Sequence, residues 1–341
     1  MLGGAGEDAP AGEIGRGALD EERRVAQRNR GVAIVALVVV VAALSRPLLE
    51  RLLDEPAIAH WATIFVAITV QAMPFLVLGV TVSAAIAAFV PADFLPRHLP
   101  KRPEFAVPVA AAAGAALPGC ECGSVPIAGR LVSRGVPAAA ALTFLLSAPA
   151  INPIVLVATA VAFPGRPEVV AARLLASLLA AVTVGLVWAR WGREELVSKA
   201  RRRKAREGPR GATFVETAQH DLLHAGGFLI VGAAAAATLQ TVVPRNLLDS
   251  LADAGALSIL ALAGLAVLLA ICSEADAFVA ASFTQFSLTA CLAFMVVGPM
   301  VDVKLISLQT GTFGRAFATR FAPLTFAAAV GWSVVVGWWL L

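Results

Sequence analysis

Ala138–Phe163 reads AAAALTFLLSAPAINPIVLVATAVAF. The stretch carries no charge and has the length of a bilayer span, because a helix needs about 20 apolar residues at about 1.5 Å each to cross a core about 30 Å thick. Its middle is Ser147-Ala148-Pro149-Ala150-Ile151-Asn152-Pro153. Proline removes a helix donor, so a break is expected near mid-span, freeing backbone groups that hydrocarbon cannot satisfy. Working outward, Val32–Leu44, Val169–Trp188 and Leu257–Ile271 are further apolar runs. The chain is 59% hydrophobic and only 15% charged, against roughly one-half and one-quarter in soluble domains. None of the runs alternates as spanning β-strands do. The expected fold is an all-α polytopic membrane protein crossing the bilayer roughly seven to eleven times.

The expected spans are 31–49, 58–90, 136–163, 168–191, 222–243, 288–312 and 318–341. The second carries Pro74, where a kink or break is expected. Two further stretches, 105–134 and 255–287, read as hairpins that re-enter or cross twice; their turns are Gly119-Cys120-Glu121-Cys122-Gly123-Ser124 and Cys272-Ser273-Glu274-Ala275-Asp276. Some thirty polar and Gly/Ala-rich residues precede Gly31, so Val32–Leu44 reads as a first span rather than a cleavable signal. Arg23, Arg24, Arg28, Arg30, Arg97, Lys101, Arg102, the basic stretch Lys199–Arg210, Arg315 and Arg320 all fall in alternate loops. Lys and Arg favour the cytoplasmic side, which places the N-terminus inside and the C-terminus outside a cell inner membrane. The net charge of +4 thus follows from topology, and nucleic acid is not an expected partner. The lipid bilayer is.

The two halves resemble each other. A shift of 153 places Phe75-Leu76-Val77-Leu78-Gly79 on Phe228-Leu229-Ile230-Val231-Gly232, and a shift of 150 places Cys122 on Cys272, Phe144 on Phe294, Pro149 on Pro299, Asn152 on Asp302 and Phe163 on Phe313. The span 58–90 is expected to run inward and its counterpart 222–243 outward, so the repeats are expected to be inverted. Many secondary transporters are built so; an old duplication kept for stability is the alternative. The expected divisions are a cytoplasmic tail 1–30, an extra helix and outer loop 31–57, a first repeat 58–191, a basic cytoplasmic linker 192–221 and a second repeat 222–341.

Four groups of residues could carry chemistry. Cys120 and Cys122, with Glu121 and Ser124, can present sulfur to a soft acceptor; small apolar cysteines packing a helix turn are the alternative. Pro149 and Asn152 match Pro299 and Asp302, and with Lys304 they interrupt apolar helices at depth. Intramembrane charges are costly unless paired or hydrated, so a pathway role competes with a structural pair of Lys304 with Glu274 or Asp276. Cys272, Glu274 and Asp276 could hold a proton or cation, or simply cap the following helix. His220 and His224 share a helix face, but no third metal ligand is evident, and solvated interfacial residues are the favoured reading. No metal site and no cofactor is assigned.

The set Cys120-Glu121-Cys122-Gly123-Ser124 with Pro126, then Gly135-Val136-Pro137, then Leu145–Pro153 resembles the permease family that includes YraQ and the organoarsenical efflux permease ArsP. The likeness runs from about Trp61 to the C-terminus. It implies a multi-spanning permease, not an enzyme; some members of that family are linked to trivalent methylated or aromatic arsenicals. The leading reading is a secondary transporter or exporter of a small solute or soft metalloid, coupled to a proton or ion. No Walker-type phosphate loop is present in the sequence. The competing reading is a membrane-embedded thiol redox or metal-binding protein using Cys120 and Cys122.

Overall fold

The computed structural model describes residues 55–91, 94, 100, 102–117, 119–192, 194–201, 210–242 and 256–341. The tail 1–30, the span expected at 31–49, Pro118, Arg97, Lys101, most of the outer loops and the middle of the basic linker lie outside the described residues. Residues Met1–Ala59 and His60–Leu341 form separate units; only the start of α1 is described in the first.

Twelve helices carry the architecture, namely α1 (Pro56–Phe89), α2 (Pro103–Ala116), α3 (Glu121–Ser133), α4 (Ala138–Ala150), α5 (Pro153–Ala162), α6 (Pro167–Trp191), α7 (Arg210–Val242), α8 (Ala256–Leu269), α9 (Asp276–Ser282), α10 (Leu288–Met300), α11 (Val303–Thr312) and α12 (Arg315–Leu340). A short helical segment spans Glu194–Arg201, and no strand occurs among the described residues. Among the described residues, six stretches are long and apolar enough to cross a membrane: Pro56–Phe89, Ala138–Ala162, Pro167–Trp191, Thr213–Val242, Leu288–Thr312 and Arg315–Leu340. The exterior is apolar, with Val70, Val157, Val231, Trp338 and Trp339 exposed, whereas Glu121, Arg173, Asp302 and Lys304 are wholly buried. Charges inside and valines outside is the inverse of a soluble fold and the arrangement that lipid demands.

The mid-span breaks have a visible cause. α4 ends at Ile151 and α5 begins at Pro153, which sits at a helix start where its missing N–H costs nothing. Asn152 serves both stubs: its Oδ1 accepts from Val155 N at 3.1 Å, and its Nδ2 donates to the carbonyls of Ala148 at 2.9 Å and Gly119 at 3.2 Å. Pro149 deprives Leu145 of its helical donor, and the Ser124 hydroxyl donates to that carbonyl at 3.2 Å instead. In the second half Asp302 caps α11 through Leu305 N at 2.5 Å. An aspartate has no N–H to return to α10, so there the far oxygen is left for other partners. The expected break at Pro74 does not occur, and α1 is one continuous helix.

The packing repeats between the halves. α2, α3 and α6 each pack on α4, and α8, α9 and α12 each pack on α10. The two central helices α4 and α10 are enclosed on almost every side, as an all-round apolar helix must be. Across the halves the contacts are reciprocal: α11 lies on α3, α5 lies on α9, and α6 lies along α12, where Trp188 meets Phe317 and Phe321 edge-on at 5.2 and 5.6 Å. Lipid supplies no hydrophobic drive between helices, so close approach at small residues does the work. A Cβ on Gly79 would stand 2.4 Å from Gly123 Cα. Gly79→Ala should therefore lower thermal stability by about 1–3 kcal/mol through overpacking. The melting midpoint in detergent checks this, with Gly331→Ala, which has open space, as the silent control.

Candidate functional site

The turns before α3 and α9 and the breaks before α5 and α11 converge on one buried cluster. Lys304, in the first turn of α11, places Nζ 2.5 Å from Glu121 Oε1 and 3.7 Å from Asp302 Oδ2. The same Nζ donates to the Ala270 carbonyl at 3.2 Å and lies 4.0 Å from Cys272 Sγ. Cys120, Glu121 and Cys272 bring two sulfurs and a carboxylate oxygen within 4.8 Å of one another. Cys122 lies beside Glu121, its Sγ 4.0 Å from Oε1. All four cysteines are free and buried. Ser124 binds backbone rather than the cluster. Pro149 and Pro299 end the central helices, and Asn152 ties its break to Gly119 just before the first cysteine turn.

Burial leaves acceptors over. Glu121 Oε2, Asp302 Oδ2 and both oxygens of Glu274 are enclosed without a hydrogen-bond partner. The cluster thus sets the Glu121 and Asp302 carboxylates and the Cys272 thiol about one ammonium, with Cys120 and Cys122 beside Glu121. Ala270 contributes its carbonyl from a left-handed backbone, φ 47°, a conformation that costs a non-glycine residue on the order of 1 kcal/mol and that here ends α8 facing Lys304.

Two readings of the charges from sequence need correction. The structural partner of Lys304 is Glu121 of the other half, neither Glu274 nor Asp276. Asp276 does not cap α9, whose cap position is Ala275; its Oδ2 instead accepts from Arg173 Nη2 at 2.7 Å. Arg173 is wholly buried, and it also donates to Thr159 Oγ1 at 2.8 Å and to the Ser273 carbonyl at 3.2 Å. A second pair went unread. Arg130 of α3 binds Asp221 of α7 at 2.8 Å, with Ser83 of α1 between them, donating to Asp221 at 3.0 Å and accepting from Arg130 at 3.3 Å. Asp221 is 3% exposed, so the solvated reading of His220–His224 fails at its middle. His220 itself is largely exposed and stacks on His224 at 6.0 Å. The signal was present for Arg173, a charge within an apolar span.

Two of these contacts join a residue of the first half to one of the second, and the third joins Arg130 to Asp221, the last residue before the second repeat. They also lie in order along the fold. Arg130 is one turn from the loop 134–137 and Arg173 less than two turns from the loop 163–166. Those loops close opposite ends of the α4–α5 span, so the two arginine pairs stand on opposite sides of the central cluster.

Broken helices that meet at mid-membrane are a feature of membrane transporters, and comparison with known proteins agrees. The family described as predicted permease, ArsP_1, matches residues 57–338. This chain belongs to that family. It is similar to the UPF0718 protein YcgR of Bacillus subtilis (strain 168), 36% identical over 276 residues that make up 79% of this chain and 93% of that protein. It is also similar to the “Putative two-component membrane permease complex subunit” of Streptococcus mutans serotype c (strain ATCC 700610 / UA159), 32% identical over 284 residues, 80% of this chain and 94% of that one. No solved structure matches. The protein is a multi-pass membrane protein of a permease family.

Proposed function

We propose that this permease is a secondary exporter of a small thiophilic solute, that the Cys120–Glu121–Cys272–Lys304 cluster is its cargo site, and that its halves are inverted repeats in the plasma membrane with the N-terminus inside. The observation that carries this reading is the convergence of four broken segments, two from each half, on one buried group of thiols and charges. Such groups are stable in a membrane only when they face protein or a hydrated path. Short arms support re-entry over crossing. α3 has 13 residues and α9 has 7, about 20 and 10 Å at 1.5 Å per residue, and neither reaches across a core of about 30 Å.

Inverted repeats exchange conformations, opening one site alternately to either side. The Arg130–Asp221 and Arg173–Asp276 pairs act as the inner and outer locks, and with both formed the cluster is occluded. Trivalent methylated arsenicals are one cargo class to test, since two thiols suit them. The expected result is that cells lacking the protein accumulate more of at least one thiophilic solute than cells overexpressing it, and that Cys120→Ser or Cys272→Ser abolishes the difference. Unchanged accumulation across the panel, with the protein present in the membrane, defeats the reading. One relative is named as a complex subunit, so co-purification of a second chain would show whether this permease acts singly. A thiol redox carrier is disfavoured by burial: Cys120, Cys122 and Cys272 are all enclosed, and a redox partner needs access to a thiol.

A further inference from the structure

We infer that Lys304 is the resident counter-ion of a seat for a soft cation, and that the cation binds by displacing the Lys304 ammonium from Glu121 and Cys272. This rests on the central cluster being the cargo site, and it names the cargo by charge as well as by softness.

Charge comes first. Two carboxylates, Glu121 at 2.5 Å and Asp302 at 3.7 Å, face one ammonium. An anion entering here would meet an excess of negative charge in a medium that screens it poorly, whereas a cation would relieve that excess. The leftover acceptors agree. Glu121 Oε2 and Asp302 Oδ2 belong to wholly buried residues and accept no hydrogen bond. Buried acceptors normally find a partner, and these two oxygens on the carboxylates that flank one lysine point to a positively charged ligand. The sulfurs decide its kind. Cys120 and Cys272 come from different halves yet lie within 4.8 Å of each other and of Glu121, a ligand set that selects soft ions over sodium, potassium or magnesium.

Lys304 is placed to be displaced. It sits in the first turn of α11, where the helix dipole disfavours a cation. A Cβ on Gly232 would lie 2.8 Å from Lys304 Cα, so α7 pins the backbone of this residue and displacement falls to its side chain alone. The Ala270 carbonyl, at the negative end of α8, faces the same point and can accept whichever cation is present. The ammonium therefore holds the seat together between loads and competes with the cargo for it.

The test uses the full chain in detergent and Ag⁺ as the probe, by equilibrium dialysis against a competing chelator. Wild type should bind Ag⁺ tightly and ignore millimolar Na⁺ or K⁺. Cys120→Ser and Cys272→Ser should each weaken binding by about tenfold or more, and Cys291→Ser, whose thiol lies against the Ala280 carbonyl instead, should not. Lys304→Gln should tighten Ag⁺ binding, because the competitor is gone; Lys304→Arg, which keeps the charge, should not. Weaker binding in Lys304→Gln with an unchanged elution profile overturns the proposal. Should that variant fail to assemble, Ag⁺ binding that is absent from wild type or indifferent to Cys272→Ser overturns it equally. Binding as expected, without Ag⁺ movement in proteoliposomes, would uphold the seat and defeat the exporter reading. Transport of another solute without Ag⁺ binding would do the reverse.

Discussion

Asp276→Asn will open the central cluster to one side of the membrane. A membrane-impermeant maleimide added outside should label Cys272 about tenfold or more faster than in wild type, with no change from inside. Asp221→Asn should do the same from inside only. In each case a buried guanidinium keeps its place and loses its counter-charge, at a cost of about 3–5 kcal/mol to the state that buries it. A conformer in which that arginine reaches water avoids the cost, and each 1.4 kcal/mol shifts the balance about tenfold. The geometry makes the effect sided, because Arg173 and Arg130 stand at opposite ends of the cluster. The double variant Arg173→Met with Asp276→Leu should return labelling to the wild-type rate, since replacing both partners by apolar groups is nearly neutral. Equal labelling from both sides, or slow labelling from both in a folded variant, would remove the locks from the mechanism.

Asp302→Asn should abolish most transport, lowering the initial rate by at least about tenfold, while leaving the protein folded. The first half supplies the reason. Asn152 caps α5 at the corresponding position with a single bond to Val155 N, so an asparagine at 302 retains the cap to Leu305 N and removes only the charge beside Lys304. Asp302→Ala removes both and should also lose about 1 kcal/mol of stability. Comparing the two by proteoliposome flux and by melting separates charge from cap. Full flux in Asp302→Asn would take this carboxylate out of the cargo site.

At three aligned positions the second half carries charge where the first does not. Asp302 replaces Asn152, Lys304 replaces Ile154, and Glu274 replaces Ser124. The packing on α4 repeats on α10 while the charge at these positions does not, and the ammonium that the second half carries at 304 is received by Glu121 of the first.

The spans, the all-α class and the mid-span breaks were legible in the residues, because each depends on local chemistry: apolar runs of bilayer length, and prolines that cannot donate. So was the list of unusual groups at depth, from Cys120 and Glu121 to Asp302 and Lys304. Pairing was not. Lys304 was read against Glu274 or Asp276, its near neighbours in the chain, yet it binds Glu121, 183 positions away. Nothing local in the sequence points Arg130 or Arg173 to its partner, although both are charges in apolar surroundings, and Asp221 reads as solvated because a basic loop precedes it.

Hydropathy and helix breaking act within a few residues and so are written along the chain. Which carboxylate neutralises which cation depends on how α11 crosses α3 and how α9 meets α5. Small residues allow the close approaches that frame them: Gly79 of α1 meets Gly123 of α3, Gly232 of α7 meets Lys304 of α11, and Gly129 of α3 meets Thr312 of α11. The sequence determined that charges would lie inside this membrane protein; tertiary packing alone decided their partners, because an ion pair forms between whichever opposite charges the packed helices bring within 4 Å.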